Sequence, residues 1–157
     1  MKYYHSYEYP IGELKIAEKD GCVVYVTLAG GAGKDVPEDY ERRETKVIKQ
    51  AAAQLTEYFA GKRKVFDLPL EFRGTDFQKS VWEALLEIPW GETKTYGEIA
   101  KRIGNPKAQR AVGMANNRNP IAVICPCHRV IGQDGSLTGY AGGLGRKEYL
   151  LKLEGAM

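Results

Sequence analysis

The hydrophobic period of this chain changes at Arg73-Gly74, and that change limits it to an α/β unit followed by a helical one. Ahead of that point, Leu14 and Ile16 alternate with polar neighbours, Lys19-Asp20-Gly21 supplies turn chemistry, and Val24, Val26 and Leu28 resume the two-residue period. Alternation interrupted by Asp-Gly signals an antiparallel hairpin. The stretch from Ala29 to Asp39 is rich in Gly, Asp and Pro and reads as a loop. From Glu44 to Ala60 the spacing turns helical: Val47, Ile48, Ala51, Leu55, Tyr58 and Phe59 share one face, and Gly61 stops the run. Phe66, Leu68, Leu70 and Phe72 alternate once more, and Pro69 confines that strand to a sheet edge.

Beyond Gly74 the signals are those of helices. Thr75-Asp76-Phe77-Gln78 and Thr95-Tyr96-Gly97-Glu98 are capping boxes, in which the first and fourth side chains satisfy each other's backbone N–H groups. Phe77, Val81, Leu85 and Ile88 mark the first helix, which Pro89-Trp90-Gly91 ends, and Ile99 and Ile103 point inward from the second. Gly104-Asn105-Pro106 offers a glycine stop, an N-cap and a first-turn proline, so a third helix is expected from Pro106 to Asn116. Gly145 to Leu153 forms the last, with Leu150, Leu151 and Leu153 packing. The helices around Gly104-Asn105-Pro106 make a helix–turn–helix candidate. Ala108, Ala111, Val112, Gly113 and Ala115 leave the second one nearly bare, with Lys107 and Arg110 projecting. Such a surface suits close approach to a nucleic-acid groove, and equally to another helix.

Charge is distributed in a way that bears on this choice. The net charge is only +3, but residues 1–45 hold six Lys/Arg against nine Asp/Glu, whereas residues 94–129 hold seven against one. A basic half beside an acidic half suits a polyanionic partner, although solvated charged faces give the same count. No apolar run approaches the ~20 residues of a membrane helix. The opening Met1-Lys2-Tyr3-Tyr4-His5 alternates too early with polar residues for a signal peptide, so a cytoplasmic location is expected. The run Gly30-Gly31-Ala32-Gly33-Lys34 is not a P-loop, because its opening glycine is misplaced and Asp35 stands where Ser or Thr belongs.

Three cysteines, Cys22, Cys125 and Cys127, are too few and too odd in number for a disulfide framework. An apolar strand, Ile121 to Ile124, runs into Cys125-Pro126-Cys127-His128-Arg129-Val130. Cys127 is the candidate nucleophile: thiolate is the attacking form, and neighbouring cations such as His128 and Arg129 favour it. Metal binding by Cys125, Cys127 and His128 would need a fourth ligand from Cys22 or His5, and the spacing is not the usual zinc pattern. Cys125, on the apolar strand, reads as packing. A loop with five glycines in eleven residues, Gly135 to Gly145, permits close backbone approach to a ligand.

Pro126-Cys127-His128-Arg129-Val130 resembles the acceptor motif of the methylated-DNA–protein cysteine methyltransferases, the O6-alkylguanine-DNA alkyltransferases. The resemblance runs from Phe77 to Gly155 and includes Thr95-Tyr96-Gly97-Glu98-Ile99-Ala100, Gly104-Asn105-Pro106-Lys107-Ala108, Arg110-Ala111-Val112-Gly113, Arg118-Asn119-Pro120 and Tyr140-Ala141-Gly142-Gly143-Leu144. It implies a ribonuclease-H-like α/β domain over residues 1–73, a small antiparallel sheet plus a helix. A mostly α, winged-helix-like domain over residues 74–157 follows, with the helix–turn–helix inside it.

The function implied is irreversible transfer of an alkyl group from O6-alkylguanine in DNA to Cys127, each copy acting once, with O4-alkylthymine a candidate second substrate. His128 would take the thiol proton through a bridging water, Glu154 would orient His128, and Tyr96 would offset charge on the leaving purine. Asn119 matches the residue tying the helix–turn–helix to the active segment. The partner implied is double-stranded DNA entered through the minor groove, by a protein acting as a monomer. Ala108, Ala111 and Ala115 would fit the groove, Arg110 would replace the extruded base, and Tyr96 would promote its rotation. The alkylguanine pocket would comprise the Val130 carbonyl, Tyr140, the Ala141 amide (other members carry Ser), Gly142 and Gly143. No cofactor is implied, and no metal: the N-terminal half holds only Cys22 and His5 for the zinc that some members carry there. A damage reader that flips alkylguanine but lacks the acceptor cysteine shares the fold, and Cys127 argues against it.

Overall fold

Asp20 and Gly21 both take left-handed backbone, with φ of 52° and 86°. They close the two-residue turn that pairs β2 (Gly12–Lys19) antiparallel with β3 (Cys22–Leu28). The computed structural model describes residues 1–30 and 35–157. Residues 31–34, most of the glycine run weighed against a P-loop, lie outside the described residues. β1 (Lys2–Tyr9) pairs antiparallel with the whole of β2, and its other edge takes a short parallel partner, β4 (Glu41–Arg42), giving the order β3-β2-β1-β4.

A register shift between Ala17 and Glu18 corrects one expectation. Ala17 faces Tyr25 and Glu18 faces Val23, so Val24 is the extra residue of a bulge. Val23 and Val26 therefore point to the main core, while Val24 joins Ala17 and Tyr40 on the opposite face. α1 (Lys46–Phe59) covers the main-core face with Val47, Ile48, Ala51, Leu55 and Tyr58. Its N-cap hydroxyl, Thr45, accepts from Ile48 N and donates to the buried carboxylate of Glu18. The alternating run Phe66–Phe72 is not a strand. It makes one parallel bridge, in which Val23 N donates to Pro69 O at 2.8 Å and Glu71 N to Val23 O at 3.0 Å, because Pro69 has no N–H with which to extend a ladder.

Both capping boxes form, opening α2 (Asp76–Leu86) and α3 (Tyr96–Arg102). α4 (Gln109–Asn117) starts at Gln109 rather than Pro106. Asn105 to Ala108 instead closes as a turn, Ala108 N donating to Asn105 O at 3.0 Å, with Pro106 where a turn favours it. α3 and α4 form the helix–turn–helix, and α2 backs it. Trp82 of α2 donates its indole N–H to Ala115 O at 2.9 Å. Ala115 is 2% exposed, so it packs on α2 and leaves the outer surface to Ala108, Arg110, Ala111 and Met114.

The apolar run Ile121–Ile124 is a turn, not a strand. Ile121 makes one parallel bridge to Val26. The chain then reverses through Val123 (φ 68°), with Cys125 N donating to Ile121 O at 3.0 Å. The Asn119 amide causes this: Oδ1 accepts from Ile121 N at 3.0 Å and Nδ2 donates to Cys125 O at 2.8 Å, replacing ladder bonds with local ones. β5 (Lys94–Thr95) and β6 (Val130–Ile131) then pair in parallel. That pairing sets Thr95, the cap of α3, beside the segment that follows Cys127. α5 (Leu144–Leu153) closes the chain. Among the described residues no helix is long and apolar enough to cross a membrane.

Trp82→Phe should cost about 1–3 kcal/mol, since it loses bulk and the indole donor to the Ala115 carbonyl, which keeps only the Arg118 N–H. Urea denaturation checks this, and an unchanged midpoint would remove the α2–α4 tie as a stabilising contact.

Candidate active site around Cys127

Cys127, His128 and Arg129 form a single 3-10 turn after Pro126. All are buried: Cys127 is 5% exposed, His128 0% and Arg129 6%. Cys125 is fully buried too, with Sγ 3.5 Å from Trp82 O, and packs as expected. Among the described residues no three His, Cys, Asp or Glu side chains gather as a metal site.

Glu154, at the C-cap of α5, is where the buried polar groups converge. Oε1 accepts from Arg129 Nε at 2.8 Å. Oε2 accepts from Arg129 Nη2 at 2.9 Å, His128 Nε2 at 2.8 Å and the Tyr58 hydroxyl at 2.5 Å. Burial alone would push this carboxyl up. The bonds from His128 and Arg129 overturn that and hold it at about 2. Burial pushes His128 down against the pull of Glu154, so the ring is neutral. Glu154 takes the proton side of the ring, so Nε2 carries the hydrogen and Nδ1 presents a lone pair. That Nδ1 has no protein partner among the described residues.

One expectation is overturned. Arg129 does not serve the thiol, because its guanidinium is spent on Glu154 and, through Nη1, on Ile88 O at 2.5 Å. Burial instead pushes the Cys127 thiol up, and the Asn119 amide and the Lys147 ammonium oppose it. Lys147 is wholly buried in α5, and burial holds its ammonium down at about 8. Its Nζ donates to Val130 O at 2.5 Å and to Thr138 O at 2.7 Å. The Tyr96 hydroxyl donates to the same Thr138 carbonyl at 3.1 Å. Tyr96, Lys147, Val130 and Cys127 are thereby drawn into one neighbourhood.

The sequence reading missed Lys147, Tyr58 and Asn116. Lys147 had a signal: it stands on one helix stripe with Leu150, Leu151 and Glu154, and a charged residue on an apolar stripe is buried for a reason. Tyr58 looked like core alone. Asn116 Nδ2 donates to Cys127 O at 3.3 Å, while its Oδ1 has no partner among the described residues. Among the expected pocket residues, Tyr140 is buried with an unpartnered hydroxyl. Ala141 and Gly142 are half-buried. A side chain at Gly142 would run into Leu28 and the Tyr140 ring. Gly143 (φ 95°) caps α5. Arg110, Ala108 and Ala111 lie on the accessible side of α4, outside the buried network.

Two family descriptions match the chain. "6-O-methylguanine DNA methyltransferase, ribonuclease-like domain" matches residues 2–72, and "6-O-methylguanine DNA methyltransferase, DNA binding domain" matches residues 76–156. A methylated-DNA–protein-cysteine methyltransferase of Methanosarcina acetivorans is 58% identical over 98% of this chain and 99% of its own length. The constitutive one of Bacillus subtilis is 47% identical, over 98% and 96%. Among solved structures, Mycobacterium tuberculosis OGT in complex with DNA superposes with a TM-score of 0.92 at 47% identity, covering 98% of this chain and 93% of that one. An O6-methylguanine DNA methyltransferase from Methanococcus jannaschii gives 0.67 at 28%, covering 97% and 93%.

Stability should fall with acid in two stages. His128 is held below its ordinary 6.5, so folding is penalised once the pH drops through 6.5 and the unfolded ring takes a proton. Glu154 is held at about 2 against an ordinary 4.5, so its contribution is complete above 4.5 and is lost as pH falls toward 2. That second loss is roughly 3 kcal/mol. Denaturant titrations at a series of pH values measure it, and a flat profile between 4.5 and 2 would contradict the Glu154 assignment.

Proposed function

The chain belongs to the 6-O-methylguanine DNA methyltransferase family, and from that premise we propose which of its residues do the chemistry. The activity is direct DNA repair, in which an alkyl group passes from guanine O6 to a cysteine of the protein. Cys127 is that acceptor. The observation carrying this is that Cys127 alone of the three cysteines adjoins a buried His–Glu pair and faces a buried ammonium.

The reaction is an in-line displacement. The thiol proton passes through a water to His128 Nδ1, the ring nitrogen without a protein partner among the described residues. Sulfur then bonds the alkyl carbon as the bond from that carbon to O6 breaks, and guanine leaves with the electron pair. Glu154, held ionised, stabilises the imidazolium that results. Lys147 favours the thiolate, and the Tyr96 hydroxyl offsets charge on the leaving purine. The Val130 carbonyl and the Tyr140–Gly143 loop, with the Ala141 amide, line the base pocket. A thioether is a poor leaving group, so the product persists and each copy acts once. No metal or redox cofactor enters these steps.

The substrate base lies within a duplex, and extruding it costs a few kcal/mol. α4 meets double-stranded DNA in the minor groove through Ala108 and Ala111, and Arg110 fills the vacated stack. Ala115, packed on α2, is not part of that surface. Asn119 couples α4 to the active segment through its bonds to the turn before Cys127. The work divides at Arg73-Gly74: residues 74–157 bind and react as a monomer, and residues 1–73 support them.

Incubation with an O6-methylguanine duplex should add one methyl mass to Cys127, read by intact-protein and peptide mass spectrometry. An unchanged mass rejects the transfer. Cys127→Ala should abolish uptake while leaving duplex binding within about twofold. Arg110→Ala should slow repair in duplex by at least tenfold yet barely change reaction with free O6-benzylguanine. Equal losses on both substrates would remove the stack-filling role.

A further inference from the structure

We propose that Tyr58 is a positioning residue for this reaction: its hydroxyl, brought across from α1, holds the Glu154 carboxylate in the orientation that fixes His128. The proposal rests on the reading of His128 and Glu154 given above. Tyr58 is fully buried, and its hydroxyl donates to Glu154 Oε2 across 96 residues of sequence. The ring is set among aromatics, edge-on to Phe59 and Trp90 at 5.2 and 5.4 Å and tilted to Phe66 at 5.4 Å. The hydroxyl's direction is therefore fixed by packing and does not depend on Glu154.

The oxygen it chooses matters. Oε2 is the oxygen that receives His128 Nε2, and Arg129 Nη2 also reaches it. A phenol donating there withdraws charge from the side facing the imidazole, so Glu154 orients His128 without competing for its proton. The other groups in play are few. Arg129 and Lys147 face His128 beside Glu154, and Tyr140 lies near Tyr58 and Cys127. None of them substitutes for a neutral donor on Oε2. Removing only the hydroxyl leaves Oε2 with two donors, so no buried oxygen is orphaned.

Tyr58→Phe tests this in the full chain. His5 and His128 are the only histidines, so ring NMR signals give the His128 midpoint with His5 as internal reference. The midpoint should rise by roughly 0.5–1 pH unit as charge returns to Oε2, with His5 unmoved. The acid limb of the rate on free O6-benzylguanine should move by the same amount. Tyr9→Phe is the control: Tyr9 donates to Ala52 O of the same helix at 2.9 Å, so its loss should lower stability without moving His128. An unmoved His128 in Tyr58→Phe, or an equal shift in Tyr9→Phe, overturns the proposal. Should Tyr58→Phe not fold, 3-fluorotyrosine at position 58, similar in shape and a stronger donor, should lower the midpoint, and no movement overturns it. Methyl uptake by Cys127, weighed on the same samples, reports separately on whether Cys127 is the acceptor.

Discussion

His128 and Arg129, the two residues that follow Cys127, are both arranged around one buried carboxylate. Glu154 collects four donor bonds from three side chains, His128 and Arg129 in one turn after Pro126 and Tyr58 on α1. An ionised carboxylate in the interior is costly unless its lone pairs are filled, and a bidentate guanidinium fills them with good geometry. Here the bonds from His128 and from the bidentate Arg129 guanidinium together hold the carboxylate ionised. The histidine can then stay neutral, with Nδ1 unpartnered among the described residues. Had Glu154 been paired with His128 alone, the pair would have faced a choice of where to keep one proton.

This arrangement also explains why the thiol is not activated in advance. Its sequence neighbours His128 and Arg129 both turn to Glu154, so burial dominates and Cys127 rests protonated. A buried, protonated thiol is a weak target for oxidants and adventitious electrophiles. Reactivity then depends on a substrate seated with its alkyl carbon in line and on groups that act on the developing charge. Lys147 and Tyr96 are disposed for that: both donate to the Thr138 carbonyl, one behind the nucleophile segment and one at the start of α3.

Local signals were legible in the sequence, and contacts closed across the chain were not. Both capping boxes, the Asp20-Gly21 turn and the face of α1 form as their spacing demands, because each is decided within a few residues. Ile121–Ile124 misled because an apolar run scores as a strand, whereas the Asn119 amide claims the backbone groups a strand would use. Pro106 misled because a first-turn proline and a β-turn proline share the same φ. At the site, Cys127, His128, Asn119 and Glu154 were accessible through motif resemblance. Tyr58 was not, since a tyrosine on an apolar helix face gives no sign that its hydroxyl meets a carboxylate far along the chain.

The first seventy residues are therefore more than a scaffold attached to a reactive domain. β3 forms its last bridge with the turn that precedes Cys125, Val26 N donating to Pro120 O at 2.9 Å and Ala122 N to Val26 O at 3.0 Å. Arg146 at the start of α5 donates to Ala29 O at 2.8 Å, just past the end of β3. α1 delivers Tyr58 to Glu154. Each contact fixes one of the pieces that must agree for chemistry: the approach to the nucleophile, the helix carrying Lys147, and the carboxylate. These parts come from separate segments joined by turns and glycine-rich loop, which alone would hold them loosely. Catalytic geometry tolerates errors of only about 0.5 Å. The sheet supplies the common rigid reference that a helical unit of this size does not provide for itself.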